Sequence, residues 1–134
     1  MITNKWVNMV LTLSGVVGFG IGLAALFWPD TFFGSTGIDL GADVNLLSEV
    51  RAPGMALVTF GLFLLLAVIR PGLRKVALWA GAMLYLSYGG GRIIGIVLDG
   101  IPHFNLQAAL GLELVIGLLC IYVLWRQRNA ATYA

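Results

Sequence analysis

The chain has 134 residues, 60% of them hydrophobic and only 10% charged, with a formal net charge of +2 and a pI near 9.0. A water-soluble domain carries about a quarter charged residues, so this composition excludes one and points to an all-α integral membrane protein of a single domain. The basic residues gather at the ends of apolar runs rather than in a stripe, which argues against a nucleic-acid surface. The lone Cys120 leaves no internal disulfide and no cysteine-based zinc site.

Four apolar runs follow one another, each long enough at 1.5 Å per residue to cross a hydrocarbon core of about 30 Å. Span one covers about residues 7–28 and stops at Trp28-Pro29-Asp30, where proline discourages a continued helix and tryptophan suits a membrane interface. Its run is longer than a signal-peptide core and is preceded only by Lys5, so it reads as a retained helix. Residues 30–48 read as a long glycine-containing loop with Asp39 and Asp43, in which Phe32 and Phe33 dip toward lipid headgroups. Span two covers about 49–69 and ends in the basic turn Arg70-Pro71-Gly72-Leu73-Arg74-Lys75. Span three covers about 76–98, a short loop follows through Asn105, and span four covers about 106–125 before a tail with Arg126 and Arg128.

Positive charges set the expected topology. Lys5, the Arg70/Arg74/Lys75 turn and the Arg126/Arg128 tail fall on one side, and loops 30–48 and 99–105 hold no Lys or Arg. The positive-inside rule then places both termini in the cytoplasm of an up-down four-helix bundle, with the acidic loops periplasmic if the membrane is a bacterial inner membrane. Small residues recur every four positions at Ser14, Gly18 and Gly22 in span one and at Ser87, Gly91 and Gly95 in span three. Such stripes let helices approach closely. Each packs inside the bundle or against another chain, and internal packing is the expectation.

Charge at bilayer depth is costly, so Arg92 and Glu113 carry most of the functional information. Arg92 lies about 10 Å inside the end of span three and Glu113 about 12 Å inside span four, counted along the helices. Glu49, Arg51 and Asp99 fall near the same boundary. Tyr85, Tyr88, Arg92 and Asp99 share one stripe of span three, and Leu106, Leu110, Glu113, Gly117 and Cys120 share one face of span four. Turning both faces inward lets the Arg92 fork meet the Glu113 carboxylate. The resulting cluster is either a closed network that fixes helix register or a polar pocket in which Arg92 and Arg51 offer cationic contacts.

Other residues carry less. His103 beside Pro102 reads as a solvated loop histidine, and the scattered carboxylates lack metal-ligand spacing. Asp39, Asp43 and Asn45 suit ordinary turn chemistry better than a calcium loop. Gly89-Gly90-Gly91 inside span three suits close packing or a kink. No nucleophile with a partnered base and no phosphate-binding loop is present.

The motifs Glu49-x-Arg51-Ala52-x-Gly54, Gly91-Arg92-Ile93-Ile94-Gly95 running into Asp99-Gly100-x-Pro102, and Leu112-Glu113-Leu114 together resemble the DUF4345 family over nearly the whole chain. The resemblance implies a small bacterial four-helix membrane protein of unknown function. It marks Glu49, Arg51, Arg92, Asp99 and Glu113 as the motif polar residues without assigning them chemistry. At fold level the chain also resembles DoxX-type four-helix proteins. Pro53 departs from the first motif and bears on the regularity of the first turn of span two.

Two function classes follow. The chain reads first as a non-catalytic accessory or structural subunit, packing against a larger membrane complex or a second copy through its small-residue faces. The alternative is a binding or transport module for a lipid headgroup, isoprenoid or small anion, built on the Arg/Glu pocket. Membrane lipids are partners in both. A membrane enzyme with Glu113 or Asp99 as general base is the least supported class, and neither cofactor nor metal is expected.

Overall fold

The computed structural model describes residues 4–132, with side chains as far as Gln127, so the Arg128 side chain lies outside the described residues. Helix α1 spans Asn4–Phe27, α2 Pro29–Gly34, α3 Val44–Ile69, α4 Arg74–Asp99 and α5 Phe104–Thr132, and a single 3-10 turn at Pro71–Leu73 joins α3 to α4. No strand occurs among the described residues. Four segments are long and apolar enough to cross a membrane: Asn4–Phe27, Val44–Ile69, Pro71–Asp99 and Phe104–Gln127. Trp6, Trp79, Tyr122 and Trp125 stand exposed near the end that holds the described N-terminal residues, and Phe27 and Trp28 near the opposite end. Aromatic side chains favour the two membrane–water interfaces.

The region expected as a continuous loop is shorter than its sequence suggests. Pro29 stops α1 but occupies the first position of α2, where a missing N–H is harmless. Helix α3 begins at Val44 rather than Glu49 because Asp43 caps it, its Oδ1 accepting from the N–H groups of Asn45 at 2.8 Å and Leu46 at 3.3 Å. Asp39 likewise accepts from the Gly41 N–H at 3.0 Å, which is turn chemistry. The earlier start of α3 moves Pro53 into the helix interior. There it removes the donor that the Glu49 carbonyl would receive.

Glycines set the pairing of α1 with α3, which run antiparallel. A Cβ placed on Gly22 would lie 2.6 Å from the Val58 nitrogen, and one on Gly61 would lie 2.5 Å from the Phe19 nitrogen. The two backbones therefore touch, the arrangement that small residues permit between membrane helices. Ser14, Gly18 and Gly22 are all buried, so this stripe packs inside the bundle. Its partner stripe on α3, Gly54, Val58 and Gly61, is equally legible at helical spacing but was not among the sequence candidates.

Helices α4 and α5 also pair antiparallel, with Gly81 against Cys120, Gly89 against Leu114 and Gly117 against Leu86. The second expected stripe does not pack. A Cβ on Gly91 or Gly95 would meet nothing within 4 Å, and Ser87 is exposed. The reason is phase: α4 turns Gly81, Tyr85 and Gly89 inward, and Gly91 lies two residues from Gly89, about 200° around the helix.

The buried core is concentrated at one end. Val7, Val10, Leu11 and Ser14 of α1 meet Leu64 and Ala67 of α3, Ala77, Leu78 and Ala82 of α4, and Ile116, Cys120 and Val123 of α5. Ser14 Oγ donates to the Val10 carbonyl at 2.7 Å and lies 3.8 Å from Cys120 Sγ. Arg74 ties this end together, donating to Asn4 Oδ1 and to the Val68 carbonyl, each at 3.2 Å. Toward the opposite, loop end the α1/α3 and α4/α5 pairs separate and leave a cleft.

Candidate functional site

The cleft has a volume of about 740 Å³, within the range of small-molecule sites. Val17, Ile21 and Ala25 of α1 form one wall, Glu49, Val50, Pro53, Gly54 and Leu57 of α3 a second. Leu84, Tyr85, Tyr88 and Arg92 come from α4, and Leu106, Ala108, Ala109, Leu112 and Glu113 from α5. Each set recurs at three- and four-residue spacing, as one face of a helix must.

A roof covers the loop end. It consists of Phe32 and Phe33 of α2 with Ser35, Thr36 and Ile38 of the following turn. Thr36 Oγ1 donates to the Phe33 carbonyl at 2.7 Å, and the Ile38 N–H donates to the same carbonyl at 3.1 Å. Asn105, at the start of α5, fixes the roof by donating its side-chain amide to the Ser35 carbonyl at 2.7 Å. His103 has a local role: its Nδ1 accepts the Asn105 N–H at 3.3 Å. Sequence reasoning missed the roof. The available signal was Pro29 at a helix-start position followed by adjacent phenylalanines.

Inside the cleft, Arg92 and Glu113 form the one ion pair among the described residues. The Arg92 Nε donates to both carboxylate oxygens, at 2.9 Å to Oε2 and 3.0 Å to Oε1. The contact therefore uses the inner nitrogen rather than the terminal fork, and Nη1 and Nη2 make no hydrogen bond to protein among the described residues. The Arg92 side chain is 29% exposed and that of Glu113 12%, so the pair faces space it does not fill. Tyr88 and Arg92 also border a shallower groove with Ser87 and Gly91 on the outer face of α4.

The remaining sequence candidates divide. Glu49, Tyr85 and Tyr88 join Arg92 and Glu113 in lining the cleft. Tyr85 is buried and donates its hydroxyl to the Ser14 carbonyl, which ties α4 to α1 at the cleft floor. Arg51 and Asp99 are not among the lining residues. Arg51 lies two residues from Glu49 and so points to another side of α3. Its Nη1 donates to the Leu26 carbonyl, one of the carbonyls freed where α1 ends, and its charge suits a helix C-terminus. Asp99 sits exposed in the last turn of α4, beyond the reach of the pair. The five polar motif residues therefore do not form one cluster.

This geometry can hold an elongated apolar body between four helices and present polar groups to one part of it. Among the described residues no group of three or more His, Cys, Asp or Glu side chains is placed to hold a metal ion. Neither a curated protein nor a solved structure matches the chain significantly. The family model for a domain of unknown function, DUF4345, matches residues 6–124. That match spans nearly the whole sequence, and the chain belongs to the DUF4345 family.

Proposed function

We propose that this protein is a membrane-embedded binding module for an amphiphile, a molecule with a long apolar body and a compact polar head. The observation that carries the reading is the roofed cleft of about 740 Å³, apolar over most of its wall yet holding Arg92, Glu113, Glu49 and Tyr88. A closed register-fixing pair has no need of such a space. A small free anion fits less well, because Arg51 is engaged elsewhere and Arg92 already faces Glu113. The positive-inside distribution supports an orientation with both termini cytoplasmic and the roof on the other side.

The test fills the space. Ala109→Trp puts an indole into the cleft from α5 while leaving the core at the other end untouched. Lipid analysis of protein purified in mild detergent should find a stoichiometric co-purifying amphiphile on the wild type and loss of it on the variant. Equal retention by both would refute the reading.

A second reading has its own support. The outward-facing Ser87, Gly91 and Gly95 leave α4 backbone open to a neighbour, which favours an accessory role beside a larger membrane complex. Purification from native membrane without a stoichiometric protein partner would count against it.

A further inference from the structure

The amphiphile-binding reading leaves open what kind of head the cleft accepts, and the charges that line it bear on that question. Three ionisable side chains with full charges line the cleft: Glu49, Arg92 and Glu113. Arg92 turns Nε to Glu113 and leaves its two terminal nitrogens without a protein partner among the described residues. Glu49 has no ion-pair partner among the described residues either. Arg51, the cation nearest to it in sequence, is held by the Leu26 carbonyl at the end of α1. The cleft thus offers an unspent guanidinium edge and a separate unspent carboxylate.

Glu49 is five residues into α3 from Val44, about 7–8 Å along the axis, and Arg92 is seven residues before Asp99, about 10 Å. Both helices have those ends at the roofed end of the bundle, so the two groups lie within about two turns of it, one on the α3 wall and one on the α4 wall.

From this pattern we infer that the head is zwitterionic, with a phosphate on the Arg92 terminal nitrogens and an ammonium toward Glu49; the inference rests on the amphiphile-binding reading. Planar guanidinium groups match phosphate oxygens through paired donors. A purely anionic head would meet two carboxylates and one already-paired cation. An uncharged head would leave Glu49 without a counterpart. A phosphoethanolamine-type head answers both groups with charges a few ångströms apart, and its chains run along Val17, Leu57 and Leu84.

The experiment reconstitutes the full-length protein in vesicles of equimolar phosphatidylethanolamine and phosphatidylglycerol with matched chains, then reads bound lipid by native mass spectrometry. Wild type should retain the ethanolamine lipid in excess by about two- to fivefold, the worth of one partly exposed ion pair. Glu49→Gln should erase that preference by lowering retention of the ethanolamine lipid, with retention of phosphatidylglycerol no lower than on the wild type. Arg92→Lys keeps a charge for Glu113 but removes the terminal fork, and should lower retention of both phospholipids. Equal or greater retention of phosphatidylglycerol by wild type, an unchanged preference in Glu49→Gln, or undiminished retention by Arg92→Lys would overturn the zwitterion assignment and leave the amphiphile reading intact. Wild type that retains neither lipid would likewise overturn the assignment, and Ala109→Trp that retains as much as wild type would overturn the reading itself and the assignment with it.

Discussion

Replacing Arg92 and Glu113 by leucine, singly and together, tests whether their contact acts as one unit. Removing one partner of a fully buried pair costs about 3–5 kcal/mol because it strands a charge, whereas exposed pairs are worth about 0–1 kcal/mol. The side chains are 29% and 12% exposed, which places this pair between those limits. Arg92→Leu strands the better-buried carboxylate and should cost about 2–3 kcal/mol; Glu113→Leu strands a guanidinium already partly open and should cost about 1–2 kcal/mol. The double variant should lose no more than Arg92→Leu alone, a coupling of about 1–2 kcal/mol. Reversible unfolding in mixed micelles, followed by tryptophan fluorescence, measures all corners of the cycle. Losses that add to within about 0.5 kcal/mol would show that the two side chains act independently and would refute the argument.

Three further predictions concern packing and orientation. Gly61→Ala drives a methyl into the α1 backbone, 2.5 Å from the Phe19 nitrogen and 2.8 Å from the Gly15 carbonyl oxygen, and should cost about 1–3 kcal/mol in the same unfolding assay. Gly91→Ala meets nothing within 4 Å and should be neutral or stabilising by up to about 1 kcal/mol, since alanine is the better helix former. For orientation, a cysteine at Asp39 should react with a membrane-impermeant thiol reagent added outside intact cells, and one at Lys75 only after lysis. Native Cys120 is buried and should stay silent, so the reverse labelling pattern would overturn the cytoplasmic placement of the termini.

How much was legible in the sequence depended on whether a residue's direction follows from its own helix. Arg92 and Glu113 could be paired from depth and phase alone, because two antiparallel helices that bury their polar positions bring them to one level. The Ser14/Gly18/Gly22 stripe was legible for the same reason. Arg51 was not: its partner is a carbonyl freed where α1 stops, and that depends on how α1 and α3 lie side by side. The Ser87/Gly91/Gly95 stripe misled because spacing reveals a small-residue face but not which way it points; the inward phase of α4 is set by Tyr85, Gly89 and Arg92. The roof escaped notice because α2 has only six residues, too few for a periodic signal, and its place over the cleft is fixed by Asn105, 70 positions from Ser35.

The one-ended core has a mechanical consequence. Helices packed together near Leu11, Leu64, Leu78 and Ile116 should move against one another least at that joint and most, as α1/α3 and α4/α5 pairs, at the cleft end. From Leu78 to Arg92 is 14 residues, a lever arm of about 21 Å, so a tilt of roughly 10° at the clamp swings the level of Arg92 by about 3–4 Å. Amide exchange should accordingly grade along each helix, slowest beside the clamp and fastest toward Phe27 and Asp99, because opening of the tips samples a different and lower free energy from unfolding of the whole.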